Sequence, residues 1–137
     1  MTDTERNPLE YARNVVGGDP MARHLGIEIL EVREAFSRVA LTIRPEYLNA
    51  LDRVHGVTLF AVADQAMAVA ANSRGVSAML LEAKINYLSS ASEGDRLVAE
   101  ARPVDLKRKI GLWNVEIRVE GSPDLVAVCQ GVSYHKA

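Results

Sequence analysis

Residues 49–75 run Asn49-Ala50-Leu51-Asp52-Arg53-Val54-His55-Gly56-Val57-Thr58-Leu59-Phe60-Ala61-Val62-Ala63-Asp64-Gln65-Ala66-Met67-Ala68-Val69-Ala70-Ala71-Asn72-Ser73-Arg74-Gly75. From Gly56 onward the stretch reads as one helix, apolar nearly all round. Such a helix is expected to be buried on every side. At about five turns it is too short to cross a bilayer, and Asp64 and Gln65 interrupt it. It should therefore be the central helix of a soluble core.

Asp64 departs from that pattern. Val57 and Ala71 fall on the same line of the helix, and Phe60, Ala61, Met67 and Ala68 flank it. No cationic side chain is in local reach. A carboxylate buried there without a partner costs several kcal/mol or takes up a proton. Two readings stay open: a functional acid, or a structural one that a crevice or a partner strand solvates.

The helix entry is the second feature. A helix start leaves backbone N–H groups unpaired and carries a partial positive charge. His55-Gly56 sits there, and glycine lets a ligand approach the backbone. Such a site suits an anion or the oxygen of a polarised carbonyl. A backbone requirement of the turn would also explain Gly56. Gly56 and Asp64 are eight residues apart, roughly 12 Å along a helix. One small carbonyl cannot touch both, so if both act on one bond they come from two copies of the chain. The expectation is a dimer with composite sites.

Composition narrows the class. A chain of 137 residues fits one domain with its own core. A net charge of −2 argues against general nucleic-acid or anionic-membrane binding. Charged residues at 25% match a globular protein rather than a disordered one. The single Cys129 excludes an internal disulfide and suits a reducing compartment. Residues 1–6 are polar and lack the hydrophobic core of a signal peptide. The expected location is the cytoplasm.

Taken in order, Asn7-Pro8 opens a helix, Asn7 as N-cap, that runs to about Val16 and stops at Gly17-Gly18. Asp19-Pro20 starts a short second turn through Leu25, ended by Gly26, so that residues 1–26 form a helical N-terminal segment. Strands are expected at Ile27–Arg33 and Phe36–Arg44, joined by a tight turn at Glu34-Ala35. Pro45 begins the loop into the central helix. A strand over Ala78–Leu88 places Leu81, Ala83, Ile85 and Tyr87 on one face and Glu82, Lys84 and Asn86 on the other. Ser89–Asp95 is a loop, Arg96–Val104 a strand, Lys107-Arg108-Lys109 a basic turn and Ile110–Glu120 a long strand. After a turn at residues 121–124, Leu125–His135 is apolar on both faces, as a strand in mid-sheet should be. The architecture is α+β: an antiparallel sheet curled round one long helix.

Asn49, His55-Gly56, Phe60 and Ala63-Asp64 together resemble the N-x5-H-G-G-x2-F-x2-A-D pattern of hotdog-fold acyl-CoA thioesterases. The match is to the phenylacetic acid degradation thioesterase family, which acts on phenylacetyl-CoA and related hydroxylated aryl-CoA esters. Arg23-His24-Leu25-Gly26-Ile27, Ile85-Asn86-Tyr87-Leu88, Glu93-Gly94-Asp95 and Gly131 fit it too, so the resemblance runs from about Met21 to the C-terminus. The resemblance implies a single hotdog domain over 1–137 and an acyl-CoA thioesterase acting on aryl or medium-chain esters. It also implies a homodimer that often pairs into a homotetramer. Asp64 would be the catalytic carboxylate, as nucleophile or as base for water. Gly56 would donate its N–H to the thioester oxygen from the opposite subunit. Asn49 would orient the carbonyl or the water, and His55 would shape the loop. The family's second glycine is Val57 here; its N–H remains, but its branched side chain would narrow the acyl pocket. No metal or redox cofactor is required, coenzyme A being part of the substrate.

Other signals leave alternatives. His24, His55 and His135 lack metal-ligand spacing. Cys129 reads as a buried inert thiol. Lys107-Arg108-Lys109 is either a solvated turn or a clamp for the CoA phosphates. Thr58, Gln65 and Asn72 form a polar seam, and Gln65 is also a candidate for hydrogen bonding near the substrate. Two rival functions share the fold. A dehydratase or hydratase needs a paired histidine and carboxylate, which His55 and Asp64 do not match. A non-catalytic acyl-CoA sensor would lack the carboxylate.

Overall fold

The central helix is the part of the chain that every strand except the first packs against closely, and its sequence explains why. In the computed structural model, which describes residues 7–136, it spans Gly56–Ala71, and Val62, Ala63, Ala66, Met67, Val69 and Ala70 are fully buried. The polar stretch 1–6, read above for its lack of a signal-peptide core, lies outside the described residues.

The elements follow the expected order. α1 (Pro8–Glu10) continues as a wider π-type turn over Tyr11–Val16, closed where the Gly17 N–H donates to Ala12 O at 2.8 Å. Asn7 stands at the cap position, but its side chain makes no capping bond, a correction to the expected cap. α2 (Pro20–Leu25) is capped as expected, the Ala22 N–H donating to Asp19 Oδ1 at 2.9 Å. It ends at Gly26, whose φ of 81° is the left-handed stop that favours glycine. β1 (Glu28–Arg33) and β2 (Phe36–Thr42) form the hairpin, and α3 is the central helix. β3 (Ala78–Tyr87), β4 (Arg96–Leu106), β5 (Ile110–Val119) and β6 (Leu125–His135) follow.

The sheet is six-stranded, in the order β1-β2-β4-β5-β6-β3, with every pairing antiparallel. Its concave face presents Leu41, Leu97, Trp113, Val115, Ile117 and Cys129 to the helix. Gly131 permits that contact: a Cβ there would lie 2.5 Å from Met67 Sδ. A sheet curled round one central helix is the hotdog arrangement that the resemblance implies.

Two expectations need correction. Leu81 does not face the core; it is 63% exposed, and Leu80 packs inward instead. The register between β3 and β6 shifts between Leu80 and Glu82, and an extra residue in a strand flips the alternation of everything beyond it. The central helix is also not buried on every side. Val57 is 69% and Phe60 37% exposed, and Ala61, Asp64 and Ala68 are half-open beside them. The curled sheet reaches round only part of the helix, so one stripe stays uncovered.

Candidate active site

The loop before the helix is built by its own polar groups. Leu48 and Val54 pair as a short antiparallel bridge, and the Asn49 N–H donates to Arg53 O at 2.7 Å. Asn49 Oδ1 accepts the N–H groups of Leu51 and Arg53 at 2.8 and 3.1 Å. Its carbonyl oxygen is thus committed to folding the loop, and its amide nitrogen makes no hydrogen bond among the described residues. The His55 N–H donates to Tyr47 O at 2.8 Å, which anchors the entry to the helix.

His55 caps the helix through its ring, Nδ1 accepting the Val57 N–H at 3.0 Å. A neutral ring held this way carries its proton on Nε2. The bond also removes the Val57 N–H from any anion site, contrary to the expectation that it remains there. The Gly56 N–H donates to no group among the described residues. Gly56 has no left-handed backbone. Its small size is explained by Tyr87, whose hydroxyl donates to Gly56 O at 3.3 Å, and a Cβ on residue 56 would lie 3.0 Å from the tyrosine Cζ. Sequence reasoning placed Tyr87 on one face of its strand with Ala83 and Ile85 and missed this contact, which spans 31 positions.

Asp64 lies two turns further along, half-buried. It lines a cleft of about 410 Å³ with Asp19, Met21, Ile27, Phe60 and Gln65. Burial, and then the neighbouring Asp19, raise its pKa above the ordinary carboxylate value, and no cation among the described residues pulls it back. A second cleft of about 460 Å³, lined by His24, Glu46, Tyr47, His55 and Thr58, shares Leu25, Val57 and Ala61 with the first. The two form one groove along the open stripe of the helix, from the His55 cap to Asp64.

The polar seam is real, and it is structural. Thr58 Oγ1 donates to Tyr47 O at 3.2 Å. Gln65 Nε2 donates to Val16 O at 2.8 Å, which ties the N-terminal segment to the helix. Asn72 Nδ2 donates to Ala68 O and Ala78 O at 2.9 and 3.2 Å, while its Oδ1 accepts the Ala78 N–H at 3.0 Å.

The basic turn is elsewhere in the same chain. The His135 N–H donates to Lys109 O at 2.7 Å, and His135 pairs with Ala78 at the start of β3. Tyr87, which touches Gly56, ends that strand, about 30 Å away at the usual strand rise. Lys107, Arg108 and Lys109 are all exposed, and Lys107 pairs with Asp105 at 3.1 Å.

The remaining titratable groups lie outside the groove or are inert. Cys129 is fully buried, its thiol pushed up to about 11 by burial first and by Asp64 second. His135 is fully buried beside Ser133 Oγ at 2.7 Å, its pKa lowered by burial and by Arg74. No group of three or more His, Cys, Asp or Glu side chains among the described residues could hold a metal ion. No helix among them is long and apolar enough to cross a membrane.

The decisive comparison is with a family model described as the thioesterase superfamily, which matches residues 51–126 and so takes in the whole central helix. The chain belongs to the thioesterase superfamily. The acyl-coenzyme A thioesterase PaaI of Escherichia coli is 34% identical over 125 residues, covering 91% of this chain and 89% of that protein. The solved structure of the E. coli PaaI protein, from the phenylacetic acid degradation operon, superposes with a TM-score of 0.89 at 30% identity, covering 98% and 97% of the two chains. A mutant of the phenylacetic acid degradation protein PaaI from Thermus thermophilus gives 0.82 at 33% identity, covering 86% and 100%. In this thioesterase superfamily member the matched segment holds the His55–Gly56 cap and Asp64. Asp19 and the rest of the N-terminal segment lie outside it.

Proposed function

We propose that this thioesterase hydrolyses acyl-CoA esters to the free acid and coenzyme A, with Asp64 as the catalytic carboxylate. One observation carries the reading: among the described residues Asp64 is an unpaired, half-buried carboxylate with a raised pKa, set in an apolar-walled cleft on a helix whose first N–H finds no acceptor. A thioester carbonyl needs polarising and its thiolate leaves readily. Asp64 attacks the carbonyl carbon or takes a proton from the attacking water, and the oxygen charge that develops is held by the Gly56 N–H of a second copy. Asn49 turns its free amide nitrogen toward that oxygen or toward the water. The walls formed by Met21, Ile27, Val57 and Phe60 suit an aryl-acyl group such as phenylacetyl, or a medium-chain acyl group.

The second copy is required because the helix is continuous from Gly56 to Ala71, which keeps Gly56 and Asp64 roughly 12 Å apart in one chain. β3 offers the contact. It is the longer of the two edge strands, ten residues against six for β1, with Met79 and Leu81 mostly exposed. An open edge of that kind pairs with another strand. Antiparallel pairing of two β3 strands sets the open helix stripes side by side and brings the helix start of one copy alongside Asp64 of the other. It also carries each basic turn to the far copy's helix start, where Lys107, Arg108 and Lys109 meet the CoA phosphates. We assign the protein to a homodimer or homotetramer, without nucleic-acid or membrane partners, in the cytoplasm, needing no metal or redox cofactor.

Asp64→Asn tests the reading. Free-thiol release from a panel of aryl and straight-chain acyl-CoAs should fall at least ~100-fold in kcat, with substrate binding retained. Turnover within threefold of wild type would defeat the assignment.

A further inference from the structure

We propose that Asp19 acts on the reaction through Asp64, as a fixed negative charge that the N-terminal segment carries into the catalytic cleft. The inference rests on Asp64 as the catalytic carboxylate and adds a positioning residue outside the matched segment 51–126.

Three contacts set the charge in place. Asp19 caps α2, the Ala22 N–H holding Oδ1 at 2.9 Å, so its carboxylate cannot swing freely into solvent. Gln65, the neighbour of Asp64, donates to Val16 O at 2.8 Å and clamps the segment three residues before Asp19 onto the central helix. Asp19 and Asp64 then line the same cleft, with Met21, Leu25, Ile27 and Phe60 as apolar walls. A carboxylate facing another across low-dielectric walls disfavours its ionisation, and Asp19 raises the Asp64 pKa alongside burial.

The other side chains of the same chain that face Asp64 do not offset this. From β6 the Cys129 thiol is held neutral, with its pKa at about 11. From the central helix the neighbours are Phe60, Ala61 and the neutral Gln65, and no cation lines the cleft among the described residues. A stronger base is a better proton acceptor or nucleophile once ionised. Asp19 therefore trades activity at acid pH for a more basic Asp64 at neutral pH.

The test is the pH profile of kcat/KM for the full chain carrying Asp19→Asn or Asp19→Ser. Asn and Ser cap helices about as well as Asp, so α2 and the fold should persist, checked by a melting temperature no lower than that of wild type. Asp64 works ionised, so activity rises with pH through its pKa. Removing the neighbouring charge lowers that pKa, and the acidic limb should move to lower pH in both variants. The ratio of variant to wild-type kcat/KM should rise at least ~twofold from the plateau to the foot of the limb. Asp19→Glu, which keeps the charge, should hold the limb near its wild-type position. Limbs of Asp19→Asn and Asp19→Ser that superimpose on wild type, with melting temperatures intact, would overturn the proposal and leave Asp19 as a helix cap alone. A failure of the underlying reading looks different: Asp64→Asn would then turn over normally.

Discussion

Two stripes of the central helix carry polar residues, and they have opposite fates. On one, Thr58, Gln65 and Asn72 recur every seven residues, and each side chain is bonded to the backbone of a neighbouring segment. On the other, Asp64 sits among Val57, Phe60 and Ala68 with a raised pKa and no cation among the described residues to pull it back. The seam fastens the entry loop, the N-terminal segment and the start of β3 to the helix. The open stripe fastens nothing. A polar residue in an apolar helix is thus diagnosed by its partners rather than by its presence: satisfied groups hold structure together, and an unsatisfied charge is retained at a cost that function explains.

The largest effect that would break this contrast is that of Asp64→Asn. Beyond the loss of turnover, the variant should be at least as stable as wild type at neutral pH. The folded-state pKa of Asp64 lies above its unfolded value. Ionisation therefore penalises the folded state above that range and costs nothing once both states are protonated. The melting-temperature gain of Asp64→Asn should appear as pH rises through the raised pKa and vanish in acid. A seam-like residue would show the reverse, a loss of stability with normal turnover.

Gly56→Ala comes next. The new methyl meets the Tyr87 ring, and a displacement of the helix start should lower kcat about ten- to a hundredfold. Adding Tyr87→Ala makes room for the methyl and should restore part of the loss. A double variant no better than Gly56→Ala would show that Gly56 is needed for ligand access rather than for Tyr87.

Replacing Lys107, Arg108 and Lys109 by alanine together should raise KM for CoA esters several-fold, roughly three- to tenfold, with kcat nearly unchanged, the mark of lost uniform binding. Short thioesters without the nucleotide should be unaffected; an equal loss on them would remove the phosphate role.

The smallest effect on activity belongs to the seam. Asn72→Ala removes three hydrogen bonds and should cost about 2 kcal/mol of stability, read by chemical denaturation. Its kcat should stay near wild type. A large kcat loss at unchanged stability would erase the distinction between the two stripes.

Much of this was determined by local sequence. Hydrophobic period located the central helix and all six strands, and turn chemistry placed the breaks at Gly26, Glu34-Ala35 and the basic hairpin, because these signals act within a few residues. Spacing alone showed that Gly56 and Asp64 cannot meet in one chain. Tertiary structure decided what local patterns cannot encode. An apolar surface reads the same whether the sheet covers it or leaves it open, so the exposed stripe of Val57 and Phe60 became visible only in the fold. The bulge that turns Leu81 outward is an extra residue measured against β6, not a feature of β3 itself. Tyr87 against Gly56 and Asp19 beside Asp64 join positions 31 and 45 residues apart in the chain. Such contacts exist only after the sheet has curled and Gln65 has drawn the N-terminal segment onto the helix, because a charge or a ring acts through distance in space and not through position in sequence.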